Sequence, residues 1–393
     1  MKRIIFGITS LTVGGAERVL VDIANRLCEK YDITIFTIYG EGTLRKQLNN
    51  KVKTVSLYPK QYKDYSKFEK TKISLKLMFM QKQPKGFDTY IAFLEGPITR
   101  LFAKQGRKIK RDTTKIAWVH NDISKVFGDG LIAKIKKHFD RKKYKKYDKI
   151  IFVSEENRQD FNSTYGNGFN EEVIRNYLDY NKVIKNAERK VSIPYNENDI
   201  NLVTVGRLVE QKGIERFIEV HSKLENDGVH SKVYVIGDGP QRYDLQKKID
   251  ELNETDSFFL LGEKENPYPY IKEADYFCLL SYYEGYGMVL DEAKILNKQI
   301  IITDTAAKES IQDYEKATVL ENNEKDIYEG LKKILTHDKI NSDFDKSKED
   351  YLKQVDEYYE KIINKIEEII KWKYQYWHQH IIEQMSLKDS ILA

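Results

Sequence analysis

The sequence predicts an α/β protein: two Rossmann-like domains in tandem, facing across a cleft, with a long C-terminal amphipathic helix behind them. Three observations carry that expectation. The chain has 393 residues, more than one hydrophobic core ordinarily serves. Short apolar runs alternate with stretches of helical periodicity, the rhythm of a parallel βαβ sheet. The alternation occurs twice, interrupted by the polar, irregular segment Asn176–Asn198.

The first series opens with a strand over Ile4–Ile8. A glycine turn follows, and then Ala16, Val19, Leu20, Ile23, Ala24 and Leu27 recur at helical spacing. Ile33–Ile38, Thr89–Leu94, Lys115–His120 and Lys149–Ser154 read as further strands. This domain is expected over residues 1–180, with a linker over 181–200 and a second domain over 201–345. There the strands are Asn201–Val205, Lys232–Ile236, Ser257–Leu261, Tyr276–Leu280 and Gln299–Thr303, and Ile214, Phe217, Ile218 and His221 mark a helix face. In residues 346–393, Leu352, Val355, Tyr359, Ile362, Ile366 and Ile369 step by three and four. That pattern predicts one amphipathic helix returning to the first domain, followed by the aromatic cluster Trp372, Tyr374, Tyr376 and Trp377.

Composition narrows the function classes. No apolar run reaches the length of about 18 residues that spans a bilayer. Met1–Ser10 turns polar too soon for a signal peptide and reads as the first strand. Cys28 and Cys278 fall one in each half, which excludes a disulfide framework within either half and points to a reducing cytosol. Cations concentrate in Lys60–Lys85, Lys104–Lys115 and Lys134–Lys149, all in the first half, with aromatics interleaved in the first and third runs. Solvated helix faces account for such runs. So does adsorption to an anionic membrane, where each cation adds about 1 kcal/mol. No nucleic-acid recognition motif accompanies the charge.

The chemistry-bearing motifs sit where strands hand over to helices. Gly14–Gly15 opens the first helix, where backbone N–H groups and the helix dipole favour an anion. Gly206–Arg207 and Lys212–Gly213 place two cations five positions apart after a strand. Arg offers a planar fork to phosphate oxygens and Lys a compact charge, a pair suited to a diphosphate. Ser281–Glu292 carries two carboxylates, Glu284 and Glu292, around Gly285, Tyr286, Gly287, Met288 and Val289. Such a strand–turn–helix junction forms the ligand crevice of an open α/β sheet. His120, Glu95 and Asp122 lie at strand ends in the first half. Asp343-Phe-Asp345 lies in a polar segment away from any strand end and reads as chance.

Taken in order, Gly14–Arg18, Gly206–Gly213, Gly237–Pro240 and Glu284–Glu292 resemble the retaining glycosyltransferases of family four, which have the GT-B architecture. The resemblance implies a hexosyltransferase that moves a sugar from a nucleotide diphosphate, UDP first among the expectations, without a cofactor or metal. It implies that Arg207 and Lys212 hold the diphosphate and that Glu292 holds the ribose. It puts Glu284 and His120 at the donor sugar, and Gly14 and Gly15 at donor phosphate or acceptor. Gly285–Val289 would add backbone N–H groups to the phosphates. The acceptor expected by analogy is a cell-envelope glycan, of capsule or teichoic type, or a lipid-linked saccharide. The enzyme would then be cytoplasmic, peripheral on the inner membrane face through Lys134–Lys149. Another GT-B enzyme such as a nucleotide-sugar epimerase, a two-carboxylate glycoside hydrolase and a non-catalytic membrane-binding protein are the alternatives. The chain departs from the family in having Ala306 and Ala307 where Gly is common, and Asn297-Lys298-Gln299 before the preceding strand. Asn tolerates a left-handed backbone, so the turn is expected to survive.

Overall fold

A computed structural model of the chain describes residues 1–12, 14–40, 42–79, 84–104, 113–121, 123–126, 131–196, 198–337 and 348–392. At helical positions 78–79, 125–126, 131–136, 337, 348 and 373–392 it describes the backbone alone. Contacts divide the chain into two compact units, Met1–Leu178 with Tyr359–Ala393, and Asp179–Tyr358.

The first unit contains β1 (Arg3–Ile8), α1 (Gly15–Leu27), β2 (Asp32–Tyr39), β3 (Lys53–Tyr58), α2 (Lys67–Phe79), β4 (Thr89–Ala92), α3 (Pro97–Ala103), β5 (Thr114–Val119), α4 (Ile123–Val126), α5 (Leu131–Tyr144), β6 (Lys149–Phe152), α6 (Glu155–Tyr165) and β7 (Glu171–Val173). Its sheet has seven strands in the order β3-β2-β1-β4-β5-β6-β7, and every pair is parallel. The central strands are apolar on both faces because helices cover both. Ile4, Ile5, Phe6 and Ile8 are sealed from solvent, as are Val19, Leu20, Ile23, Ala24 and Leu27 of α1.

The second unit contains α7 (Tyr180–Ala187), β8 (Asn201–Val205), α8 (Ile214–Asn226), β9 (Lys232–Ile236), α9 (Arg242–Glu251), β10 (Phe258–Gly262), α10 (Tyr268–Glu273), β11 (Tyr276–Leu279), α11 (Met288–Ile295), β12 (Gln299–Thr303), β13 (Ala317–Leu320) and α12 (Glu324–His337). Its six strands run β10-β9-β8-β11-β12-β13, again all parallel. In both sheets the order reverses beside the first strand, between β1 and β4 and between β8 and β11. Those are the switch points, where crossovers diverge and leave a crevice at the carboxyl ends of the strands.

Two expectations need correction. The segment 181–200 is not an irregular linker: α7 occupies its start, with Asp179 capping the Lys182 N–H at 3.0 Å. Tyr180, Val183 and Ala187 bury one face of it against the second unit. Helical spacing among Asn and Lys residues hid that face. The second unit also does not end at 345. It runs to Tyr358, taking the first part of α13 (Lys348–Leu392), where the Tyr351 hydroxyl donates to the Lys294 carbonyl.

From Tyr359 onward α13 belongs to the first unit. Tyr359, Ile362, Ile363, Ile366, Ile369 and Ile370 are buried. Glu367 receives Lys30 at 2.6 Å and Lys371 at 3.0 Å, and Lys365 pairs with Glu172 at 2.8 Å. Trp372 lies beside the Lys149 ammonium at 6.0 Å. The side chains of Tyr374, Tyr376 and Trp377 lie outside the described residues.

Candidate functional site

At the switch point of the second sheet, two loops are built against one another. The first leaves β8 at Gly206 and turns through Glu210–Lys212 into Gly213, which takes a left-handed φ of 62° and starts α8. A methyl group on Gly213 would lie 2.3 Å from the Leu280 carbonyl, so the loop reaches the end of β11 only with Gly there. The Gly237–Pro240 turn after β9 closes on the same loop. Gly237 adopts φ 149°, and a methyl there would meet the Gly206 carbonyl at 1.8 Å. Leu208 N–H donates to the Asp238 carbonyl at 3.0 Å.

The second loop leaves β11 at Leu280 and carries Ser281 to Gly287. Gly287, at φ 65°, caps α11. The loops are stitched by Gln211, whose carbonyl accepts from Tyr282 N–H at 2.9 Å and whose amide donates to the Tyr283 carbonyl at 3.1 Å. This brings Lys212 and Glu284 into an ion pair, both largely shielded from solvent. Ser281 Oγ is 3.5 Å from the same carboxylate. Arg207 stands on the outer side of the loop, exposed and with no side-chain partner among the described residues. Gly285 is exposed, while Tyr286, Met288 and Val289 are half-buried around the start of α11.

Glu292 is placed differently. It is buried at 2% exposure, one turn further along α11, and accepts from the Tyr268 hydroxyl at 3.2 Å. Asp291 beside it is equally buried, with the Lys294 ammonium 2.6 Å away. Asn297 carries the positive φ, 55°, that the turn before β12 requires. Ala306 and Ala307 open a short 3₁₀ turn that also contains Glu309.

Arg216 escaped the sequence reading. It is 2% exposed, on the face of α8 that also buries Ile214, Phe217 and His221. Its Nε donates to the Leu280 carbonyl at 2.9 Å, and its Nη1 to Asn322 Oδ1 at 2.8 Å. The guanidinium lies 4.1 Å from the Tyr282 ring centre. Asn322 in turn donates to the Tyr282 carbonyl at 2.8 Å. Burial lowers the Arg216 pKa from its usual value. An arginine inside an apolar helical stripe was the available signal, because a buried guanidinium demands acceptors.

In the first unit, the loop after β4 reaches over the end of β5. Glu95 accepts from the backbone N–H of His120, from Asn121 N–H at 2.9 Å and from the Asn121 amide at 2.8 Å. Burial raises the Glu95 carboxyl, and these donors oppose the rise. With its oxygens so engaged, Glu95 is a positioning group for the β5 end. The His120 ring packs on Phe93, centroids 4.7 Å apart, and its buried Nε2 has no hydrogen-bond partner among the described residues. Burial pushes its pKa down to about 3. A neutral imidazole with one open nitrogen can donate or accept a hydrogen bond but does not serve as an acid.

Gly14 caps α1 at φ −163°, an extended conformation open to any residue, and Gly15 is exposed. A methyl on Gly14 would meet the Glu17 carboxylate at 2.2 Å, so Glu17 folds back over the helix start. Burial raises the Glu17 pKa. The anion position at this N-terminus is therefore held by the chain's own side chain.

Asp122, residues 105–112 of the Lys104–Lys115 run, and Asp343–Asp345 lie outside the described residues. Among the described residues no three His, Cys, Asp or Glu side chains come together as metal ligands. No described helix is long and apolar enough to cross a membrane. In the Lys134–Lys149 run, Lys143 is tied to Asp140 at 3.0 Å and Lys149 to Glu172 at 3.0 Å. Phe139, Lys142, Lys145 and Lys146 remain exposed.

Comparison with known proteins agrees with this architecture. The family described as Glycosyltransferase Family 4 matches residues 13–182, and the one described as Glycosyl transferases group 1 matches residues 185–351. A Campylobacter jejuni N-acetylgalactosamine-N,N'-diacetylbacillosaminyl-diphospho-undecaprenol 4-alpha-N-acetylgalactosaminyltransferase is 25% identical, covering 86% of this chain and 92% of its own. A second C. jejuni enzyme, which adds N-acetylgalactosamine to a related diphospho-undecaprenol saccharide, is 28% identical over 75% of this chain and 77% of its own. Among solved structures, Anabaena HepE in complex with UDP and glucose superposes with TM-score 0.62 at 14% identity, covering 98% of this chain and 100% of that one. Staphylococcus aureus TarM, in complex with fondaparinux, alpha-GlcNAc-glycerol and UDP, gives 0.65 at 14% identity, covering 94% and 100%. At such identities the likeness is one of fold, and the fold is GT-B.

Proposed function

Because the chain belongs to the family-four glycosyltransferases, we propose that it is a retaining enzyme using a UDP-sugar donor and a lipid-linked or glycan acceptor of the cell envelope. The observation that carries the donor half is the Lys212–Glu284 ion pair beside the unpartnered Arg207, at the switch point of the second sheet. Without ligand, Lys212 neutralises Glu284. A diphosphate competes for the ammonium, and its own charge repels the carboxylate. Lys212 then passes to phosphate and Glu284 to the sugar hydroxyls. Arg207 grips the other phosphate oxygens.

The charge on the leaving diphosphate grows as the glycosidic bond breaks, so cations placed there favour the transition state over the ground state. In this reading an acceptor hydroxyl attacks the anomeric carbon from the face the diphosphate leaves. The electron pair of the broken C–O bond goes to the diphosphate, and a phosphate oxygen takes the hydroxyl proton. The products are a glycoside and UDP, and no side-chain nucleophile or metal takes part. His120, held neutral, bonds a sugar hydroxyl through Nε2. Glu292 meets the ribose by exchanging its bond to Tyr268. Gly14 and Gly15 meet phosphate or acceptor once Glu17 swings away. The acceptor half rests on the diphospho-undecaprenol substrates of the C. jejuni relatives.

A thermal-shift screen over UDP-, GDP-, ADP- and CDP-sugars tests the donor. At ligand about 100-fold above Kd, the stabilisation is about 2.7 kcal/mol, a rise of roughly 5–10 °C. UDP-sugars should give the largest rise, and Arg207→Ala should remove it. An undiminished rise in Arg207→Ala refutes the diphosphate placement. Product anomer analysis by NMR decides retention.

Peripheral attachment is a separate part of the proposal. It rests on exposed Lys142, Lys145, Lys146 and Phe139. Replacing the three lysines by serine should weaken sedimentation with phosphatidylglycerol vesicles, most clearly at low salt. Equal sedimentation of variant and wild type would remove this face from consideration.

A further inference from the structure

Both carboxylates of the Ser281–Glu292 stretch are engaged within the chain itself. Glu284 is held by Lys212, which has its own part in gripping the diphosphate. Glu292 is held by Tyr268, which has no part in the transfer step. Glu292 is 2% exposed and Tyr268 6%, and the phenol donates to Oε1 at 3.2 Å. A buried carboxylate demands donors, and a hydrogen bond to a charged group is stronger than one between neutral groups. A phenol O–H and a ribose O–H are donors of the same kind.

The frame around Tyr268 is stiff. It lies in the first turn of α10 between Pro267 and Pro269, whose rings fix the backbone there. Just before the helix, the Asn266 amide donates to the Asn186 carbonyl of α7 at 2.8 Å. At its other end, the Lys298 ammonium donates to the Lys272 and Ala274 carbonyls at 2.7 and 2.6 Å. A hydroxyl fixed from both sides does not follow a carboxylate that turns to a ligand. Its bond to Glu292 is therefore either made or given up. Ribose presents two neighbouring hydroxyls, and a carboxylate has two oxygens to receive them. Tyr268 already occupies one of the two, Oε1.

We infer that the Tyr268 hydroxyl stands in for a ribose hydroxyl at Glu292 in the free enzyme, and so limits how tightly the donor and the product UDP are held. The inference rests on the reading of Glu292 as the ribose-binding group and adds the residue that regulates it. Tyr268 supplies the buried carboxylate before the nucleotide arrives and again after UDP leaves. One O–H···O bond is exchanged for another, so nucleotide affinity is reduced by the worth of the bond displaced. Tyr268 touches neither sugar nor phosphate in this scheme; it is a positioning residue that favours release.

Calorimetric titration with UDP and with 2′,3′-dideoxy-UDP tests this without turnover. Wild type should prefer UDP, which alone brings the diol. Tyr268→Phe should tighten UDP roughly three- to tenfold. It should leave dideoxy-UDP unchanged, and that nucleotide, held by base and diphosphate, reports at the same time that the site keeps its shape. In a Glu292→Gln background the gain from Tyr268→Phe should shrink to within about twofold. In turnover, the ribose contact is the same in ground and transition states. The donor KM should therefore fall with kcat unchanged, and UDP should inhibit more strongly.

Where wild type prefers UDP, an equal gain for both nucleotides in Tyr268→Phe, or none for either, overturns the proposal and leaves the ribose reading standing. Weaker UDP binding in that variant does the same, because the hydroxyl would then support the bound state. So does an undiminished gain in the Glu292→Gln background. If wild type binds the two nucleotides alike, Glu292 does not meet the ribose, and the reading and the proposal fall together. If wild type binds neither, the donor reading falls with both.

Discussion

His120 shows how much of a residue's chemistry is set by where its strand ends. β5 stops at Val119, and the next ring turns into Phe93 with its Nε2 open. Burial lowers its pKa from 6.5 to about 3. Below pH 6.5 the unfolded chain takes up a proton there and the folded one does not. Stability from this group is therefore present above the unfolded value and declines as pH falls below it, by about 1.4 kcal/mol per pH unit. At about pH 5 the loss is roughly 2 kcal/mol. His120→Asn lacks the titrating ring, so its urea midpoint should drop less than that of wild type between about pH 7 and pH 5. Parallel drops would mean that the folded imidazole is solvated. At this scale the sequence was informative where backbone rules are strict. Asn297 was expected to tolerate a left-handed turn and has φ 55°. It was uninformative where a side chain turns inward. Nothing in the spacing of Glu284 and Glu292 tells that one pairs with Lys212 while the other is sealed against Tyr268.

At the scale of elements, the central strands were legible and the edges were not. β3, β7 and β13 close three of the four sheet edges and were all missed. An edge strand buries less and carries polar residues, as Lys53–Tyr58 does, so its apolar run is short or broken. The loop that carries Glu284 was recognised from its glycines, but what holds it was not. Arg216 ties the end of β11 to Asn322 and supports Tyr282 from below. It acts on the site through that loop, as a positioning residue. Arg216→Met leaves the Leu280 carbonyl and Asn322 short of a donor in a buried place, at a cost of about 2–3 kcal/mol to the second unit. The donor KM should rise as the Ser281–Gly287 loop loosens. Arg216→Lys restores charge but not the planar fork, so it should recover part of the urea midpoint and little of the KM. A lysine variant with wild-type donor KM would show that the loop is set by Gln211 and Gly213 alone.

For the whole molecule, two periodic series sufficed to read two parallel sheets, because helices on both faces force continuous apolar strands. The division between the units was harder to read, since one crossing falls at the cap of a short helix, Asp179, and the other inside α13, at Tyr358. α13 is one helix that serves two cores in turn. Its second part buries Tyr359, Ile362, Ile363, Ile366, Ile369 and Ile370 with the first unit. At about 1.5–3 kcal/mol for each fully buried side chain, that face contributes on the order of 10 kcal/mol gross. Net domain stability is about 5–15 kcal/mol, so the first unit depends on residues that join it from far along the chain. Ile366→Ala should cost about 2–4 kcal/mol and lower the melting transition of the first unit. Nucleotide binding gives the control, because UDP should still stabilise the second unit by the wild-type increment. A chain stopped after Tyr358 should expose β-sheet and α1 surface that this face covers, and aggregate on heating below the wild-type transition. If that truncated chain stays soluble and its first unit melts where wild type does, the C-terminal half of α13 is an appendage and the first core is complete without it.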